Sequence, residues 1–533
     1  MRGLGCEKYV RRIRASKQGV SPIHSFLEPV RLPRRLQPAE ILLAFPPEPG
    51  RILFEAGEGA VPGIAWGDVS PRPASSVRPP ARPGAGWSFA AAWPSSILQG
   101  SDGWFTLTTP GGTRVEARDP FDLLDRTVGD LWRGAAAGRM NGDEGPPFVG
   151  GWAGYLGYDL NRYVEKLPHR ARPELPVPEI HLAFYETVAA LNHRDGTLWL
   201  AGILPAGREA LVRERARILA RSLEEVARRP PAKAPPPAPA GPLVSSFSGP
   251  GYLAAIEQAL ENIRAGEIYQ VNLAQRFACR LDPCWGREPG WRVYLRLRER
   301  NPAPFACYVQ AAGFEIASAS PERFLAVYPE SGGGWRVQTP PIKGTRPRGK
   351  TAQEDRERAA DLLRSEKDRA ELTMIVDLLR NDLGRVARMG SVVVPELRRL
   401  ESYPTVHHTV ATVEARLRGD ATPGSLLRAA FPGGSVTGAP KIRAMEIIDA
   451  LEPVRRHVYC GCLGFISVNG FLEFNIAIRT LTVASSRALF HAGGGIVADS
   501  DPEAEYEETL VKAGALAAAL GVPDLGGGSC TSG

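Results

Sequence analysis

The sequence predicts an α+β protein built on antiparallel sheets, and three features carry that reading. β-like runs come in adjacent groups (305–310, 314–319, 324–327 and 487–491), while long helical patterns gather at 206–226, 252–265 and 365–383. The strands therefore do not alternate with helices in strict βαβ fashion, which points to antiparallel pairing. No self-similarity recurs at the 20–50-residue period of a repeat protein.

Composition bounds the function classes. The 533 residues suffice for a large core, and 43% hydrophobic with 23% charged residues is ordinary for a globular chain. No run approaches the roughly 18 uninterrupted apolar residues of a membrane helix, so no membrane role is expected. The net charge of +7 sits entirely in residues 1–36, where nine Lys/Arg face Glu7 and Glu28. A basic head on a neutral body reads as an electrostatic arm, a transit-like leader or upstream read-through. With no aromatic–basic pattern following it, no nucleic-acid binding is expected. The seven cysteines include no CxxC pair and read as reduced thiols, consistent with a cytoplasmic protein.

Taken in order, residues 1–36 are expected to be a disordered extension, and 37–229 a first unit rich in Pro, Gly and Trp. Within it, 197–204 alternates like a strand and 206–226 reads as a charged helix. The proline-rich run starting at Pro230 cannot hold a helix or central strand, so 230–246 is expected to be an extended, solvated linker. Residues 247–520 form the second unit, and 521–533, rich in Gly and Ser, a flexible tail.

Four constellations in the second unit can carry chemistry. At 262–273 a helix should end near Gly266 and a strand carry Gln270. At 318–349, Glu322 follows a proline after an apolar strand, and Lys343 sits in an apolar turn after two prolines. A desolvated lysine there is a candidate nucleophile, although a solvated surface lysine is the commoner case. At 365–383, Leu372, Ile375, Leu379 and Leu383 make a helical stripe with Glu371 at its edge. At 491–502 a Gly-rich turn should run into a helix whose Glu505 and Glu508 lie one turn apart, where two carboxylates could share a hard cation. Glu508 and Lys512 equally suit an i,i+4 ion pair on a solvated face. The run 433–441 resembles a P-loop but lacks its Lys-Ser/Thr pair, and Pro440 suits a helix start.

The order and wording of these segments resemble the chorismate-utilising enzymes, a family that includes anthranilate, aminodeoxychorismate, isochorismate and salicylate synthases. The resemblance rests on 262–277, 318–323, 340–346, 365–386, 431–449, 459–465, 474–480 and 493–512, and more loosely on 150–159. It implies an anthranilate-synthase-component-I-like sandwich of two large antiparallel sheets packed face to face, with helices outside. Water-adding members carry a lysine base where this chain has Gln270. Anthranilate synthases typically read Pro-Ile-Ala-Gly-Thr where this chain has Pro-Ile-Lys-Gly-Thr, the aminodeoxychorismate form. Amination of chorismate through a covalent Lys343 intermediate, leading to 4-aminobenzoate and folate, is therefore the implied activity. Anthranilate formation is the alternative.

By the same resemblance, Glu322 matches the general acid and His408, rather than His407, the histidine beside the ring. Glu371, Glu505 and Glu508 match the Mg²⁺ carboxylates. Arg479 and Tyr459 match the positions that bind the enolpyruvyl carboxylate. Gly493, Gly494 and Gly495 would supply backbone donors, with Lys512 near a substrate carboxylate and Thr437 a weaker match. An insertion at 329–335 should be a surface hairpin, and the strands flanking it should bring Glu322 and Lys343 together. Leu53, Glu55 and Ala56 match a tryptophan-contacting stretch whose serine is here Ala56, which puts tryptophan binding in doubt. Nothing in the chain resembles a glutaminase; Cys462 lacks the spacing of a nucleophile elbow and reads as core. Ammonia would come from a separate glutamine amidotransferase subunit, in a heterodimer.

Overall fold

The computed structural model describes residues 9–13, 23–56, 86–116, 118–137, 145–231, 234–236, 238, 240–330, 333–403, 406–522 and 531–532. They build one 14-stranded and one 12-stranded sheet. Among the described residues the strands pair antiparallel, apart from the short parallel contact of Val244–Ser245 with Thr531–Ser532; an isolated parallel bridge joins Arg172 to Val454.

The sheets face one another across an apolar layer. From the first sheet come Ile52, Phe89, Val309 and Ile316, and from the second Ala153, Tyr155, Leu463 and Phe465. Phe465 meets Phe89 at 5.6 Å between ring centroids and Phe54 at 6.0 Å, both edge-on. Each ring or branched chain buried there is worth roughly 1.5–3 kcal/mol. Helices cover the outer faces. Leu219, Leu223, Val293, Leu297 and Leu516 pack on the first sheet, and Leu124, Val128, Leu372, Ile375 and Leu426 on the second.

The expected split into two units gives way to continuity. Strand Ile52–Glu55 pairs with Phe305–Ala311 in the first sheet, and Gly151–Leu156 with Cys462–Ser467 in the second. Each sheet thus takes strands from both sides of the proline-rich run. The basic extension is corrected in part. Ile23–Val30 is a sheet strand paired with Leu198–Leu204, and Arg34 forms an ion pair with Glu40 at 2.7 Å. Residues 1–8 and 14–22 lie outside the described residues. The proline-rich connection is not free of the body either: Leu243 is buried and Ala240 bridges to Leu281. In the tail, Val522 N–H closes on Ala517 O and Thr531–Ser532 pair with Val244–Ser245; 523–530 and 533 lie outside the described residues.

Local signals read from the sequence recur at the expected places. Gly266 (φ +76°) ends the Gly249–Arg264 helix, and Gln270–Arg280 follows as a strand. Ser365, which the sequence reading does not single out, caps the Glu366–Gly384 helix by accepting from Asp368 N–H. Pro440 precedes the Lys441–Leu451 helix as its N-cap residue, not its first helical residue. The insertion is a hairpin, Pro329 opposite Trp335, but the Trp335 ring turns inward and stacks on Trp132 at 4.3 Å.

Candidate active site

Lys343 lies in the strand Ile342–Pro347, not in a turn. Its register against Val406–Arg416 slips between Lys343 and Thr345, so Gly344 forms a bulge with φ +80°. A Cβ there would sit 2.9 Å from Asp368 and Leu362 side-chain atoms, so both conformation and space require glycine. Bulges re-aim neighbouring side chains, and this one turns Lys343 toward the first sheet, where a Cβ on Gly495 would lie 3.6 Å from Nζ and 2.3 Å from Gln270 Nε2. Lys343, Gln270 and Gly495 therefore converge, and any larger residue at 495 would displace the other two.

Glu322 is buried just before the strand Arg323–Pro329. Burial pushes its carboxyl up to about 7, against the opposing pull of the Ser435 hydroxyl, the Lys343 charge and the Ile342 N–H. Near neutrality it can hold and release a proton, as a general acid must. Burial lowers the Lys343 ammonium, while Glu371, Glu322 and Glu508 pull the other way. The acid and the amine that the sequence separates by 21 positions thus share one charged cluster, with Ile342, next to the lysine, donating to the acid.

The Pro502–Ala519 helix borders the cleft, capped by Asp501 accepting from Ala504 N–H. Glu505 accepts from Ser500 at 2.7 Å, and Glu508 pairs with Lys512 at 2.7 Å. Burial raises the Glu505 carboxyl, as does the neighbouring Glu508 charge. On Glu508, burial is outweighed by Lys512, Lys367 and Lys343, so its carboxyl is held low. Glu371, on the Glu366–Gly384 helix, is the largest charge acting on Lys343. Three carboxylates without Cys or His are the donor chemistry of a hard cation, and the mutual repulsion of Glu505 and Glu508 is what a cation would relieve. Among the described residues no three His, Cys, Asp or Glu side chains meet as a finished metal cluster.

The three glycines lie inside the strand Arg487–Val497, not in a turn, opposite Asn272, Leu273 and Ala274. Lys512 donates to Gly493 O at 3.0 Å, so that carbonyl faces away from the paired strand. The alternation of a strand turns the N–H groups of Gly493 and Gly495 the same way as that carbonyl, away from the paired strand. Arg479 occupies the crossover from Leu472–Ile476 in the second sheet to Thr480–Ala484 in the first, with φ +52°. A non-glycine residue held there costs on the order of 1–3 kcal/mol and recurs at ligand sites. Its guanidinium has no ion-pair partner among the described residues, and burial lowers its pKa. A desolvated, unpaired guanidinium is a receptor for a carboxylate.

Tyr459 is buried and stacks on His491 at 5.1 Å. His408 bonds Thr345 Oγ1 through Nδ1 at 2.9 Å, and burial lowers its pKa, against the opposing pull of a Gly344 backbone hydrogen bond and the Glu401 charge. His407 instead is buried between Ser402 and Asp355, a structural role. Thr437 is fully buried and its hydroxyl donates to Gly433 O at 3.1 Å, so it shapes the loop. Leu53 is core, Glu55 is taken up by Tyr294 (2.6 Å) and Arg298 (2.8 Å), and Ala56 N–H donates to Ser88 Oγ. Cys462 is buried with its thiol pKa raised by burial.

Two participants are not legible in the sequence pattern. Ser435, which touches the acid, lies in the run that merely resembles a P-loop; a hydroxyl beside a Gly-Gly pair is the available signal. Lys367, which acts on Glu505 and Glu508, has none. The lysine of that run, Lys441, pairs with buried Asp382 at 2.5 Å and anchors the loop that presents Ser435.

A family described as chorismate binding enzyme matches residues 101–518. The aminodeoxychorismate synthase of Streptomyces griseus is 42% identical over 372 residues, 69% of this chain but half of the relative's own length. The component 1 of that synthase from Escherichia coli is 41% identical, covering 76% of this chain and 86% of the relative. Anthranilate synthase component 1 of Thermus thermophilus is also 41% identical, covering 80% and 87%. The crystal structure of anthranilate synthase component I from Streptococcus pneumoniae superposes with a TM-score of 0.67 at 29% identity, covering 87% of this chain and 98% of that one. Overall identity is thus the same toward two different activities.

Proposed function

This chain belongs to the chorismate-binding enzymes, and we propose that within the family it is the chorismate-converting component of an aminodeoxychorismate synthase. The observation that carries the reading is the pairing of Lys343 with Glu322 in one cleft, each shifted by burial toward the protonation state its role needs. In the proposed first step the neutral Lys343 amine attacks ring C2, the diene shifts, and the 4-hydroxyl departs as water with the proton held by Glu322. Ammonia then adds at C4 and the diene shifts back, expelling the lysine amine. Arg479 holds the enolpyruvyl carboxylate beside Tyr459, and the N–H groups of Gly493 and Gly495 face the ring carboxylate. Glu371, Glu505 and Glu508 would hold Mg²⁺, which when bound draws electron density toward the ring carboxylate. Ammonia would be delivered by a separate glutamine amidotransferase, a reading supported by relatives named as a component 1.

Mass spectrometry of the intact chain, quenched after mixing with chorismate and Mg²⁺ in the absence of ammonia, tests the covalent step. The expected spectrum gains one chorismate less one water, mapped to Lys343. An unmodified chain during turnover-competent incubation would rule the covalent route out. For the cation, Glu508→Gln is expected to raise the Mg²⁺ needed for half-maximal activity by about tenfold or more, measured by titrating Mg²⁺ into chelator-treated protein. An unchanged requirement would remove Glu508 from the proposed ligands.

A further inference from the structure

A second cavity lies apart from the cleft, behind the Pro502–Ala519 helix. Ser245, Phe247, Gln275, Phe277, Tyr506 and Leu510 line it, together with the start of the Gly249–Arg264 helix. Gln275 is 2% exposed. Its Oε1 accepts from the Ser245 hydroxyl at 2.6 Å, but its Nε2 has no partner among the described residues. A buried amide N–H without an acceptor is a cost that an incoming oxygen would remove.

The helix start supplies a second donor. Gly251 N–H is taken by the Ser248 side chain and Tyr252 N–H by Ser248 O, while Pro250 has none. Gly249 N–H is therefore the first-turn donor without a partner among the described residues, at the positive end of a 16-residue helix, where anions are favoured. A Cβ on Gly249 would stand 3.3 Å from the Tyr506 hydroxyl, so glycine keeps the space between the two helices open. The remaining walls, Phe247, Phe277 and Leu510, are apolar.

We propose that this cavity is a second binding site, for a small carboxylate with a compact aromatic or branched apolar body. The carboxylate takes the N–H groups of Gln275 and Gly249, and the body lies against Phe247, Phe277 and Leu510. Tyr506 and Leu510 are one turn apart on the helix whose other side carries Glu505, Glu508 and Lys512. A ligand here therefore touches that helix from behind, without entering the cleft. The inference stands whichever amine the enzyme makes.

Calorimetric titration of the full chain with benzoate tests it, with benzylamine as the cationic counterpart of similar shape. One benzoate should bind in the millimolar range and benzylamine should not. Gln275→Leu, which removes the donor, and Leu510→Trp, which fills the cavity, should each weaken benzoate at least tenfold, with circular dichroism confirming the fold. Arg479→Ala, which strips the cleft of its carboxylate receptor, should leave benzoate binding unchanged. No benzoate binding, or binding that survives Leu510→Trp, or binding lost in Arg479→Ala, overturns the proposal.

Discussion

Glu322→Gln is expected to lower the rate of Lys343 adduct formation by about 10²–10⁴-fold, the usual worth of a positioned general acid. The amide keeps the carboxyl's shape and can still accept from Ser435 and Ile342, so the cleft should stay assembled. It cannot give a proton to the departing hydroxyl. The pH dependence follows with a definite sign. In the proposed step Glu322 acts only while protonated, and burial sets its carboxyl at about 7, so its contribution to adduct formation is lost as pH rises through that value. In Glu322→Gln that alkaline limb should vanish along with most of the rate. A variant that retained both the rate and the limb would move the acid to another residue.

Lys343→Ala is expected to have an effect as large, of a different kind. Without the amine, chorismate has no protein nucleophile at C2, and amination at C4 should fall by roughly a thousandfold, equivalent to about 4 kcal/mol of barrier. With ammonium supplied, ammonia itself can add at C2, so any residual product should be the 2-amino compound or the anthranilate formed from it. Lys343→Arg separates charge from nucleophilicity. It keeps a cation facing Glu371 and Glu322 and should be as inactive as the alanine variant. Chromatography of products from both variants reads the result, and near-native C4 amination by either would exclude Lys343 as the nucleophile.

Much of this site can be read from the chain because its elements are locally encoded. The cap at Gly266 and the Leu372–Ile375–Leu379–Leu383 stripe are short-range signals, and each marks a real boundary or face. What cannot be read depends on partners distant in sequence. The bulge at Gly344 exists only against the strand Val406–Arg416, so Lys343 reads as a turn residue until that pairing is known. Three successive glycines suggest a turn, but they serve close approach: a Cβ on Gly493 would fall 2.2 Å from Leu273 O. The continuity of both sheets across the proline-rich run is likewise invisible, because it rests on two strand pairings between halves. The strand Ile23–Val30 is hidden by the basic residues on either side of it, because its pairing with Leu198–Leu204 lies far away in sequence.

The central claim is that the Lys343–Glu322 pair directs the amine to C4. Purified protein with chorismate, Mg²⁺ and ammonium at alkaline pH, resolved by chromatography with and without added aminodeoxychorismate lyase, tests it most directly. The account predicts 4-aminobenzoate only when the lyase is present. Fluorescent anthranilate appearing without the lyase would contradict it.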